Sequence, residues 1–185
     1  MKKRLLIVFF ISISVLLSEE VYNITQSFDG TFTFKGAYKI MYNEGSSLEK
    51  TTILFNVPSC PVQIKTNSIN FVWDGTRSYN YEAKTEFTVN TEIGAFQIIY
   101  ATYDIFGLHM KNLSNTEAKD YTTGSYSISG KWSSYGNDTS EFLTSVAYIK
   151  KVRFKDGTQW VSNDDAIVQE LTALNLEKKI EDDAK

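Results

Sequence analysis

The chain is short of cysteine, histidine, proline and glycine, and each shortage excludes a class of protein. Cys60 is the only cysteine among 185 residues, so no internal disulfide can form. His109 is the only histidine, whereas an ordinary zinc site takes several His, Cys or carboxylate ligands. With 2 prolines and 10 glycines the chain is neither collagen-like nor of low complexity. We expect no metal and no cofactor.

Positive charge is also scarce. The chain has 19 Lys and Arg against 22 Asp and Glu, a formal net charge of −3. Nucleic-acid binding needs a basic domain or stripe, so we expect no nucleic-acid partner. Acidic residues at Asp74, Asp156 and the pair 164–165 lack the alternating oxygen ligands of a calcium loop. We interpret them as turn and helix-cap residues.

The N-terminus has the layout of a secretory signal. Met1 to Arg4 form a basic segment, Leu5 to Leu17 form a mainly apolar segment, and polar residues follow. The apolar run is shorter than the ~20 residues that span a membrane. Cleavage after Ser18 would leave Leu16 where a small residue is preferred, so an uncleaved anchor is the alternative. We predict a signal peptide at 1–18 and an exported protein, periplasmic or extracellular, or else tethered by that segment.

A long apolar run at 92–107 organises the rest of the chain. Ile93 to Phe106 are almost all apolar or aromatic, and Gly94 and Gly107 stand at either end. An uninterrupted apolar run is typical of a strand covered on both faces. A buried helix is the competing interpretation, but β-branched and aromatic residues favour a strand. The run therefore predicts the central strand of a β-sheet.

Residues 58–162 are predicted to form an antiparallel two-sheet immunoglobulin-like β-sandwich. Apolar and polar residues alternate strictly over 79–89, and a second long alternating strand covers 142–154. Asp-Gly pairs at 74–75 and 156–157 stand between such runs, which is a strong hairpin signal. Several short strands separated by turns are typical of a sandwich.

A linker and a β-hairpin are predicted before the sandwich, at residues 19–57. Residues 19–29 are polar and are interpreted as the linker. The hairpin strands are placed at 30–42, with a bulge at Gly36, and at 52–57. The closely spaced prolines at 58 and 61 oppose a regular ladder and are interpreted as the boundary.

A C-terminal amphipathic helix and tail are predicted at 163–185. Ile167, Leu171 and Leu174 share one face of a helix over about 165–180, and an Asn-Asp pair before it offers N-cap oxygens. This apolar stripe either packs on its own sandwich or faces another subunit.

Within the central run, an aromatic residue, a gap and a Tyr-Asp pair form a short motif. Tyr100 stands in the aromatic position, Tyr103 and Asp104 follow, and Thr102 occupies the place of a leucine. This motif resembles the signature of FxLYD-type domains, small immunoglobulin-like sandwiches of exported bacterial proteins. The resemblance implies a fold and an exported setting. Members are largely of unknown function, so no catalytic residue is carried over.

Aromatic residues at strand ends or in loops are the candidate binding residues: Trp73, Trp132, Tyr135 and Trp160. Rim aromatics can form a platform for sugar rings or for a partner protein; alternatively, they cap the core. We predict an exported, non-enzymatic binding or envelope-associated module that acts through strand edges and these aromatics, with an unknown protein or glycan partner. A carbohydrate-binding module is the alternative.

Catalytic residues are not apparent. His109 follows Asp104 closely, but no G-x-S-x-G nucleophile motif accompanies them. A hydrolase that uses His109 is therefore a third and weaker hypothesis, beside a structural role. Cys60 lies between prolines, as a small residue at a joint or as the site of an intermolecular disulfide.

The N-terminal prediction can be tested by fractionating native cells and sequencing the mature N-terminus by mass spectrometry. A start near Glu19 in a soluble exported fraction is expected. An intact Met1 in the membrane fraction would instead show a tethered domain.

Overall fold

The computed structural model of the protein describes residues 23–33, 47–73, 79–134, 138 and 142–177. The predicted signal peptide, Gly36 and Tyr135 lie outside these residues. The described elements are β1 (Asn23–Thr33), β2 (Ser47–Asn56), β3 (Val62–Trp73), β4 (Tyr79–Val89), β5 (Ile93–Asp104), β6 (His109–Glu117), β7 (Gly124–Ser133), β8 (Phe142–Phe154), β9 (Gln159–Val161) and α1 (Asp164–Ala173). The protein is mainly β, as predicted.

Two sheets pack face to face. The larger has the strand order β1-β2-β8-β5-β6, with β9 paired to β8, and the smaller has the order β3-β4-β7. Between them, the ring of Phe87 in β4 lies 4.9 Å from that of Phe96 in β5. The two-sheet sandwich is confirmed. The sequence indicated an antiparallel architecture, but the pairing of β2 with β8 is parallel. After β2 the chain crosses to β3 in the smaller sheet, so no hairpin joins β2 to its neighbour β8.

Strand β5 lies between β8 and β6 in the larger sheet, and both of its faces are buried. On the inner face the Tyr100 hydroxyl pairs with Thr85 Oγ1 of β4 at 2.8 Å. Burial raises the pKa of Tyr100 to about 12. On the outer face Ala101 is 3% exposed and Tyr103 is 0% exposed. The prediction of a central strand covered on both sides is confirmed.

Helix α1 covers the outer face of the larger sheet. Asn163 caps it, because its side chain accepts from the two N–H groups that follow at residues 165 and 166. Ile167 and Leu171 are buried in the same core as the strands, so the apolar stripe packs on its own sandwich. Lys150 of β8 holds the start of the helix through an ion pair with Asp164 at 2.6 Å.

The helix ends at Ala173, not near residue 180 as predicted. Leu174 is the C-cap, and Asn175 has a positive φ of 58°. The Asn175 N–H donates to Thr172, and the Leu176 N–H donates to Leu171. This pair of bonds is a Schellman motif, which satisfies the last carbonyls and turns the chain away from the helix.

Strand β1 begins at Asn23, within the segment 19–29 that was predicted as a linker. The prediction was wrong because β1 is an edge strand, held by its backbone pairing with β2, which an apolar period does not reveal. The described part of the strand ends at Thr33. The remainder of the predicted strand at 30–42 lies outside the described residues.

The link at 58–61 carries the chain from the larger sheet to the smaller one. Beside it, Asn56 and Ile64 exchange two hydrogen bonds, of 2.9 and 2.8 Å. The Cys60 side chain is 2% exposed and belongs to the core. Because β2 pairs with β8, the N-terminal hairpin is an integral part of the sandwich's larger sheet.

Substitution by phenylalanine is expected to change the free energy of unfolding differently at the two tyrosines of β5. Tyr100→Phe removes the hydrogen bond to Thr85 and should lower the free energy of unfolding by about 1–2 kcal/mol. Tyr103 has a buried hydroxyl with no hydrogen-bond partner in the described structure, so Tyr103→Phe should be neutral or slightly stabilising. Urea unfolding of both variants measures the difference, and equal losses would contradict this assignment.

Candidate functional site

Exposed apolar side chains cluster in the turn between β5 and β6, residues 105–108, called here the apolar turn. Ile105 is 39% exposed, Phe106 78% and Leu108 54%. Single exposed apolar residues are normal, whereas exposed apolar residues that lie together form a candidate interaction site. The sequence predicted that the buried strand continued to Phe106. That extension was wrong, since β5 ends at Asp104.

Asp104 shapes the turn. Its Oδ1 accepts hydrogen bonds from the N–H groups of Phe106 and Leu108, each at 2.8 Å. Its backbone carbonyl accepts from the Gly107 N–H, and its N–H donates to the Leu108 carbonyl. Gly107 has a φ of 78°, which favours glycine. The Asp-x-x-Gly spacing at the end of the apolar run is the signal that sequence analysis missed.

The segment after α1 supports the turn from behind. The Glu177 N–H donates to the Gly107 carbonyl at 2.8 Å, and Glu177 Oε2 accepts from the His109 N–H at 2.8 Å. A Cβ on Gly107 would lie 2.9 Å from the Asn175 carbonyl oxygen and 3.6 Å from the Leu176 side chain. The apolar turn is therefore clamped on two sides, by Asp104 and by the C-terminal segment.

Beneath the turn lie Tyr103 and His109, with ring centroids 5.7 Å apart. Burial and, secondarily, the negative charge of Glu177 raise the pKa of Tyr103. The Nε2 atom of His109 pairs with the Asn112 amide oxygen at 2.9 Å. Glu177 contacts the His109 backbone, so this carboxylate does not orient the imidazole as the acid of a catalytic triad does.

Trp132 lies where β7 approaches β6, and it closes that side of the sandwich. Its indole N–H donates to the Ser114 carbonyl at 3.2 Å. Its ring lies 5.6 Å from that of Tyr100 and covers Gly130, where an added Cβ would meet it at 2.1 Å. This residue caps the core, which was one of the two interpretations of the rim aromatics.

Trp160 lies elsewhere on the sandwich. Its indole N–H donates to Ser59 Oγ at 3.1 Å. Trp160 pairs with Val152 of β8, whereas Tyr100, beside Trp132, pairs with Ala147. These levels of β8 are about 17 Å apart, so Trp132 and Trp160 do not share one platform.

The side chains of the other two predicted aromatics are not among those that the structure describes. Trp73 is the last residue of β3, and its side chain is not described; Tyr135 lies outside the described residues. A binding role for these aromatics stays a prediction.

Comparisons with protein-family models, curated proteins and solved structures found no match. Within the described residues, no group of three or more His, Cys, Asp or Glu could hold a metal ion. Likewise, no described helix is long and apolar enough to cross a membrane. The apolar turn is thus the surface feature on which we base a functional proposal.

The role of Asp104 predicts a local effect on substitution. Asp104→Ala removes the acceptor of two N–H groups and should lower the free energy of unfolding by about 1–2 kcal/mol. Amide hydrogen exchange should accelerate at Phe106 and Leu108. Asp156→Ala is the matched control, because Asp156 accepts in the same way from the Thr158 N–H at 2.9 Å in another hairpin. It should leave exchange in the apolar turn unchanged; acceleration there in both variants would contradict a local clamp.

Proposed function

We propose that the protein is an exported, non-enzymatic β-sandwich that acts as a binding or envelope-associated module, with the apolar turn as its main contact surface. The observation that carries the proposal is the exposure of Ile105, Phe106 and Leu108 on a clamped turn. The signal-like N-terminus supports export.

The clamping of the turn favours binding. Association costs free energy when a flexible loop must be ordered, and a preformed loop avoids that cost. Asp104 and Glu177 hold the turn from both sides, so the apolar side chains are presented in one backbone conformation. The indole N–H groups of Trp132 and Trp160 bond within the fold, which makes the turn the stronger candidate.

Binding to the cell envelope tests this proposal. The double variant Phe106→Ala with Leu108→Ala should bind isolated native envelope at least tenfold more weakly than the unaltered protein. Both side chains are exposed, so folding should change little. Val161→Ala is the matched control, because Val161 is 55% exposed and lies in β9.

Two outcomes would contradict the proposal. Equal envelope binding by the double variant and the control would remove the turn from the contact surface. Recovery of the native protein with an intact N-terminus in the cytosol would contradict export.

A further inference from the structure

We infer that the apolar turn inserts into the headgroup region of a phospholipid membrane. This inference rests on the proposed function, because it names the partner of the same surface. Its basis is the combination of exposed apolar side chains, internally bonded backbone groups and small contact area.

Most of the N–H groups and carbonyls of the turn form hydrogen bonds within the protein and so do not need water as a partner. The four N–H groups of residues 106–109 all donate within the protein, to Asp104 or Glu177. The carbonyls of Gly107 and Leu108 also accept within the protein. A polar backbone group that enters lipid without a partner costs several kcal/mol. The N–H groups of residues 106–109 and the carbonyls of residues 107 and 108 already have partners, which lowers the cost of moving the turn out of water.

The size of the surface argues against a protein partner or a second copy of the chain. A stable protein interface buries about 800 Å² and 20–30 residues on each partner. The turn offers three large exposed apolar side chains, and the remaining one in the described structure is Val161. Val161 pairs with Lys151, whereas Asp104 at the turn pairs with Phe142, which places it about 30 Å away along β8. Within the described residues, an exposed apolar surface of this small size suits insertion between lipid headgroups.

Among the described residues, the charged side chains bonded to the turn are the carboxylates of Asp104 and Glu177, which do not attract lipid phosphates. Glu177 is bonded to Gly107, and Lys178 and Lys179 follow it directly in the sequence. Cations near a membrane surface favour anionic lipids, but the net charge of −3 opposes long-range attraction. Binding should therefore depend mainly on the apolar side chains and only weakly on salt.

Fluorescence with brominated lipids tests insertion of the turn itself. The exported protein, with the N-terminus it carries in cells, is mixed with vesicles of phosphatidylcholine and phosphatidylglycerol. The indole introduced by Phe106→Trp should shift to shorter wavelength and be quenched by bromine on the acyl chains. Val161→Trp and the unaltered protein are the controls, and neither should gain this quenching. A protein held only by a retained N-terminal segment would show no quenching at position 106, which would overturn the inference.

Vesicle partitioning separates this inference from the proposed function. Phe106→Ala with Leu108→Ala should lower the partition coefficient at least tenfold, while Val161→Ala should leave it unchanged. Turn-dependent binding to native envelope without binding to vesicles would overturn lipid insertion and leave the proposed function in place. Turn-independent behaviour in both assays would overturn both.

Discussion

The larger sheet is apolar on both faces, and the rest of the structure depends on covering them. Ile98 and Ile99 are neighbours in β5, point to opposite faces and are both buried. The smaller sheet covers one face, and α1 covers the other. The ion pair at Lys150 holds one end of the helical segment, and Glu177 holds the other on the β5–β6 turn. The C-terminal segment is therefore a layer of the core, and the same contacts make the turn rigid.

Much of the sandwich could be predicted because apolar and polar side chains alternate along its strands. In β4 the alternation places Tyr81, Ala83 and Phe87 in the core. In β3 the period changes, since Ile64 and Ile69 are both buried although their numbers differ in parity. The cause is a bulge between Ile64 and Thr66, which moves later residues to the opposite face. Such a shift is set by pairing with β4 and is only partly visible in one sequence.

The candidate site was missed for a different reason. Ile105 and Phe106 continue the composition of the buried run that precedes them, so hydrophobicity alone places them in the core. Their exposure follows from the hydrogen bonds of Asp104, which end the strand. Conversely, Trp132 is of a residue type that is common at binding surfaces. Its indole N–H nevertheless donates to the Ser114 carbonyl within the fold. Exposure here depends on hydrogen bonding, local at Asp104 and tertiary at Trp132, more than on residue type.

The parallel pairing of β2 with β8 has a consequence for the order of assembly. Thr52 and Ser145, whose hydroxyls lie 3.2 Å apart in that pair, are 93 residues apart in sequence. Until β8 is available, the β1–β2 and β5–β6 hairpins have no strand between them. Contacts this distant carry a large loop-closure entropy and slow folding. Closure of the larger sheet is thus expected to wait until nearly the whole chain is available.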